Sequence, residues 1–183
     1  MPAPKSIPVA DIHVAIERLA RAIGERHSKT APLILLGIAN GGIEVSRRIA
    51  ISLPVLFPGL RVSSGILDIS FHRDDIDRNP IPKEFVPTRI PTDVTGATVI
   101  LVDDVLFSGR TVKAAMDELF DHGRPAKVEL AILINRGGRK LPVAADYAGM
   151  EFDIPDDCKV VVKLDPAAPD NDTVQVRSAT LKP

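Results

Sequence analysis

The run Val99-Ile100-Leu101-Val102-Asp103-Asp104-Val105-Leu106-Phe107-Ser108-Gly109-Arg110-Thr111 places two kinds of chemistry side by side. Four β-prone apolar residues end in adjacent carboxylates, which accept hydrogen bonds from sugar hydroxyls. A Ser-Gly-Arg-Thr turn follows, and then a helical pattern begins. The backbone N–H groups of such a turn, the hydroxyls of Ser108 and Thr111 and the positive end of the helix dipole suit a phosphate. A phosphorylated ribose needs both surfaces a few ångströms apart. An Asp that merely caps a helix is the plainer reading of the pair alone, but the whole run, with a strand before it and a helix after it, sits in the context a sugar-phosphate motif requires.

The elements that must position this run can be read from periodicity. Ile12, Ile16, Leu19 and Ile23 recur at helical spacing, with Arg18, Arg21 and Glu25 on other faces. Residues 33–38 form a continuous apolar run of strand length, broken by Asn40-Gly41-Gly42. Residues 43–53 read as a second helix closed by Pro54. From Arg61 to Phe71 the pattern alternates, with Leu67, Ile69 and Phe71 facing one way and Asp68, Ser70 and His72 the other. Residues 72–91 are charged and proline-rich, longer than packed domains usually allow, and read as a mobile or functional loop.

The helix after the motif steps through Val112, Met116, Leu119 and Phe120 to Gly123. Val128, Leu130, Ile132 and Ile134 alternate as a strand, 135–147 is a loop rich in Gly and Arg, and 160–162 is a late strand. Strands alternating with helices predict an α/β fold, a mainly parallel sheet flanked by helices on both faces. No repeat or linker divides the chain, so residues 1–183 read as a single domain. Ligands of such sheets bind beyond the carboxyl ends of the strands. Asn40-Gly41, Asp103-Asp104 and Asn135-Arg136 all fall at predicted strand ends, which points to one shared site.

Composition narrows the class. The hydrophobic share of 45% and charged share of 26% are those of an ordinary globular protein. No apolar run is long enough to span a bilayer, no signal-type segment opens the chain, and a cytoplasmic location is the expectation. Cys158 is the sole cysteine, which excludes an internal disulfide and a thiolate-built zinc site. His13, His27, His72 and His122 show no metal-type spacing and read mostly as solvated. The net charge of -1 hides a polarity: residues 1–61 carry eight basic and four acidic side chains, residues 146–183 four basic and eight acidic. That leaves room for a modest nucleic-acid surface near the start of the chain, with solvated helix faces as the plainer account.

At residues 99–111 and the helix that follows, the chain resembles the type I phosphoribosyltransferases. Residues 67–75, 136–142 and 145–147 extend the likeness to the PyrR group, pyrimidine-operon regulators with uracil phosphoribosyltransferase activity. The resemblance runs from about Ile12 to Leu164. It implies a small hood over the site, expected here at 135–150, and transfer of phosphoribose from 5-phosphoribosyl 1-pyrophosphate (PRPP) to uracil, giving UMP and pyrophosphate with Mg2+. Residues 99–111 would hold PRPP, with Asp103 and Asp104 catalytic and meeting the metal directly or through its water. Asn40 and Gly41 would meet the leaving pyrophosphate. Bacillus-type members have Thr-Arg-Gly there, so Gly41 replaces a cation and Arg73 is the substitute. Val105, Leu106 or Phe107 and Arg136 would face the base.

Group resemblance also implies dimers or tetramers and binding of leader RNA. The RNA surface departs from the pattern at Gly138, Ala144 and Met150, which stand where His, Arg and Lys are usual, so leader recognition is expected to be weak or altered. A pyrimidine-operon sensor with little catalysis and a purine-type phosphoribosyltransferase are the competing readings.

Overall fold

The computed structural model describes residues 6–29, 32–70, 72 and 86–178. Among these, β1 (Ser6–Ile7) leads into α1 (Val9–His27), β2 (Leu33–Ile38), α2 (Gly41–Leu56) and β3 (Val62–Leu67). Then come β4 (Thr98–Leu106), α3 (Arg110–Asp121), β5 (Lys127–Asn135), β6 (Tyr147–Glu151), β7 (Cys158–Lys163), a 3-10 turn at Pro169–Asn171 and β8 (Thr173–Ser178). The main sheet has the order β3-β2-β4-β5-β6, and every pairing in it is parallel. No helix among the described residues is long and apolar enough to cross a membrane.

The sheet is covered on both faces, which is why β2 and the first half of β4 read as apolar runs rather than as alternation. Leu33, Leu35, Ile100, Val102, Ala131 and Leu133 pack with Ile12, Ile16, Leu19 and Ile23 of α1 and with Val45, Ile49 and Leu53 of α2. Their neighbours Ile34, Leu36, Val99, Leu101, Leu130 and Ile132 face α3 through Val112, Ala115 and Leu119. Each fully buried aliphatic side chain contributes roughly 1.5–3 kcal/mol. The two helical layers thus fix the height of the strand ends.

Several expectations are corrected. α2 runs past Pro54 to Leu56, because the proline falls in the last turn and the Phe57 N–H closes the helix on the Leu53 carbonyl at 2.8 Å. Met116 and Phe120 are exposed, since the buried stripe of α3 follows Val112, Ala115 and Leu119 and each next residue turns about 100° away from it. β3 ends at Leu67, after which Leu67, Asp68 and Ile69 are all buried. His27 is buried: its Nε2 lies 2.6 Å from Glu129 and 3.0 Å from the Tyr147 hydroxyl. Burial alone would push the Glu129 carboxyl up, but hydrogen bonds from Lys127, Tyr147 and His27 outweigh it and hold it at about 2.

The second, antiparallel sheet is β1-β8-β7, with Ile7 opposite Val174 and Val162 also opposite Val174. It draws on both ends of the described chain and shares its core with α1 through Ile7 and Val174. Residues 135–150, where the hood was expected, hold the end of β5, a connecting loop and most of β6 of the main sheet. Arg73 and most of the 72–91 stretch lie outside the described residues. At its far end, Arg89 bridges the β3 residue Ile66 with reciprocal backbone hydrogen bonds of 2.8 and 2.9 Å.

Candidate active site

The acids lie within β4 rather than after it. Gly37 of β2 pairs with Val102, while Asp103 and Leu106 pair with Ile132 and Asn135 of β5. β2 has ended at Ile38, so β4 projects its acidic half beside the Ala39-Asn40 turn, a cis peptide. The sequence packs this corner with glycine. A Cβ on Gly42 would overlap the Val102 carbonyl oxygen, and one on Gly41 would lie 2.5 Å from the Asp104 carboxylate. α2 can therefore begin directly against β4, with Gly41 touching the carboxylate.

Asp103 is buried and Asp104 half-buried. The Asp104 N–H donates to Asp103 Oδ1 at 3.0 Å. Burial, with the neighbouring Asp104 charge, pushes the Asp103 carboxyl well above the usual carboxylate range. Burial also raises Asp104, against the opposing hydrogen bonds of the Val105 N–H and Asp103. Neither carboxylate forms an ion pair among the described residues. Two adjacent acids held above their ordinary values without a protein cation fit a bound divalent ion.

The Ser-Gly-Arg-Thr turn forms the start of α3. Gly109 adopts φ 92°, a left-handed conformation that suits glycine, and turns the chain into the helix. Ser108 Oγ accepts the Arg110 N–H at 3.3 Å, while the N-cap residue, Gly109, has no side chain to cap the first turn. Arg110 and Thr111 are exposed. The Ser108 carbonyl accepts N–H groups of Lys140 and Leu141, each at 3.0 Å, so the turn is strapped to the loop after β5.

Other predicted residues take supporting places. Val99, Ile100, Leu101 and Val102 bury their side chains in the two cores, and Leu106 is also buried. Val105 is half-buried against the α1/α2 side. Asn40 is exposed at the turn. Arg136 is brought beside the site, but its guanidinium is taken up by carbonyls: it donates to Cys158 at 2.6 Å, Pro155 at 2.8 Å and Ile154 at 3.2 Å. It stacks over the Phe107 ring at 4.0 Å from the centroid. Sequence reasoning missed the loop residues that back that stack. Gly138, at φ 70°, presses on Phe107 so closely that a Cβ there would lie 2.5 Å from the ring, and Arg139 donates to the Phe107 carbonyl and Asn135 Oδ1. The Gly137-Gly138 pair was the available signal.

A parallel sheet that carries paired acids beside a helix N-terminus has the fold of a phosphoribosyltransferase. Residues 9–165 match the phosphoribosyl transferase domain family, and the chain belongs to it. Its relatives include the bifunctional protein PyrR of Chloroflexus aurantiacus, 44% identical over 84% of each chain, and that of Deinococcus radiodurans, 42% identical over 90% of each. Within the family the chain thus falls in the PyrR group. The hypoxanthine phosphoribosyltransferase of Trypanosoma cruzi shares the fold with a TM-score of 0.68 at 21% identity, over 96% of this chain and 98% of that one.

Proposed function

We propose that this protein transfers the 5-phosphoribosyl group of PRPP to uracil, forming UMP and pyrophosphate. The observation that carries the reading is the Asp103-Asp104 pair, held against Gly41 and one turn from the start of α3. In this reading the ribose hydroxyls hydrogen-bond to Asp103 and Asp104. The 5′-phosphate rests on the N–H groups of residues 109–111 and the hydroxyls of Ser108 and Thr111. The bond from the anomeric carbon to the pyrophosphate oxygen breaks, the bond to uracil N1 forms, and the N1 proton is lost.

The transition state carries positive charge on the ribose ring and negative charge on the leaving group. Buried carboxylates beside the first stabilise it, and tight seating excludes water that would hydrolyse the sugar. Asp103 and Asp104 would hold Mg2+, directly or through its water, and the ion supplies charge neutralisation for the pyrophosphate. The Phe107 ring, held by Arg136 and Gly138, lies at the edge of this site, where the base would sit. Uracil as that base is supported by the kinship with the PyrR proteins. Incubation with Mg2+, PRPP and each of uracil, hypoxanthine, guanine and orotate should give UMP from uracil. Purine nucleotides alone, or no nucleotide from any base, would overturn the proposal.

A further inference from the structure

A second cluster of ligating side chains lies at the other end of α3 and does not rest on the reading above. Glu118 Oε2 is 3.1 Å from His72 Nε2, and Asp121 Oδ2 is 3.5 Å from the same nitrogen. One ligand atom from each of the three lies within 4.8 Å of the others. The second Glu118 oxygen faces His122 Nε2 at 3.1 Å and accepts the Thr88 hydroxyl at 2.8 Å. We propose that His72, Glu118 and Asp121, with His122 beside them, bind a first-row transition-metal dication, with Zn2+ as the probe ion.

Three observations support this. Bonds of about 2.0–2.2 Å to a common metal place tetrahedral or octahedral ligands roughly 3.0–3.5 Å apart, and the His72–Glu118 and His72–Asp121 separations of 3.1 and 3.5 Å have that size. The donors come from two segments: Glu118, Asp121 and His122 share one face of α3 by their three- and four-residue spacing, and His72 approaches from outside the helix. The end of α3 also carries its dipole's partial negative charge, has no basic residue in its last turn, and adds two carboxylates. A cation is favoured there. Imidazole with carboxylate selects zinc-like ions over Mg2+, which prefers oxygen and retains its waters. The Thr88 hydroxyl orients Glu118, as outer-shell partners of metal ligands do. An ion here would cross-link residue 72 to the helix whose other end forms the Ser108–Thr111 turn.

The test is calorimetric titration of the untagged full-length protein with Zn2+ in millimolar Mg2+, with the visible d–d bands of added Co2+ as a second readout. One Zn2+ per chain is expected. His72→Ala and Glu118→Gln, the latter still able to accept from Thr88, should each weaken Zn2+ by about tenfold or more and bleach the Co2+ bands, while their melting curves without metal stay cooperative. The Asp103→Asn/Asp104→Asn variant should keep the Zn2+ stoichiometry. No saturable binding, unchanged affinity in either single variant, or loss of binding in the double Asn variant would overturn the proposal.

Discussion

Asp103 and Asp104 are costly to the fold in the state that makes them useful. Burial and the neighbouring charge hold the Asp103 carboxyl above its ordinary value, so the folded protein binds that proton more tightly than the unfolded chain does. Stability therefore falls as pH rises from the ordinary carboxylate value to the raised one, and above it the whole penalty is present. Replacing both acids by Asn removes the penalty and keeps an oxygen at 103 for the Asp104 N–H. At pH 7 the Asp103→Asn/Asp104→Asn variant should melt at or above the wild-type temperature, while phosphoribosyl transfer drops roughly 10²-fold. A lower melting temperature would mean that the charge at 103 is already compensated in the folded protein. Gly41 belongs to the same argument. An added Cβ meets first the end of the Asp104 side chain, at 2.5 Å, a flexible group that can give way. Gly41→Ala should thus displace the carboxylate and lower turnover with little change in the thermal melt.

The neighbouring glycine behaves as part of an element. Gly42 is the second residue of α2, and a Cβ there would run into the Val102 carbonyl, backbone against backbone, with no flexible atom to give way. Gly42→Ala should push α2 off β4 and cost about 1–3 kcal/mol, roughly 2–12 °C of melting temperature. Unchanged melting would show that the helix start can shift freely. The same contrast between local and non-local causes decides what could be read from the sequence. α1, β2, β4, α3 and β5 were legible because burial on one or two faces writes itself into spacing. The pair β1 and β8 was not, since Ser6 opposite Gln175 and Ile7 opposite Val174 join the two ends of the described chain and leave no local pattern. β6, the five-residue YAGME, is too short and glycine-broken to show a period. At the site, the acids and the Ser-Gly-Arg-Thr turn were legible as chemistry. The role of Arg136 was not, because only the fold reveals that the carbonyls of Ile154, Pro155 and Cys158 claim its guanidinium before any ligand does.

At the scale of the whole molecule, the arginines of α1 are exposed, yet each meets acceptors within the protein. Arg18 on α1 donates to the Gly149 carbonyl of β6 at 3.0 Å. Arg21 is paired with Glu17 at 2.6 Å. Arg26 lies over the Tyr147 ring and near Glu129 and Asp146, at 3.5 and 3.8 Å. Arg21 and Arg26 thus meet carboxylates of the protein itself, and Gly138, Ala144 and Met150 add no charge on the side of the late loop. An RNA leader binds such a surface mainly through its phosphates, each neutralised contact adding affinity and, for single strands, about 0.7 to the salt slope. With α1 self-paired and those three positions uncharged, the chain should bind a pyrimidine-operon leader only weakly while remaining a competent transferase. A mobility-shift titration at about 0.15 M salt, where exposed charge is screened over roughly 8 Å, should give micromolar or weaker binding that excess unrelated RNA displaces. Nanomolar binding that survives this competitor would mean that the α1 arginines release their partners for RNA, and would make leader recognition a main activity of this chain.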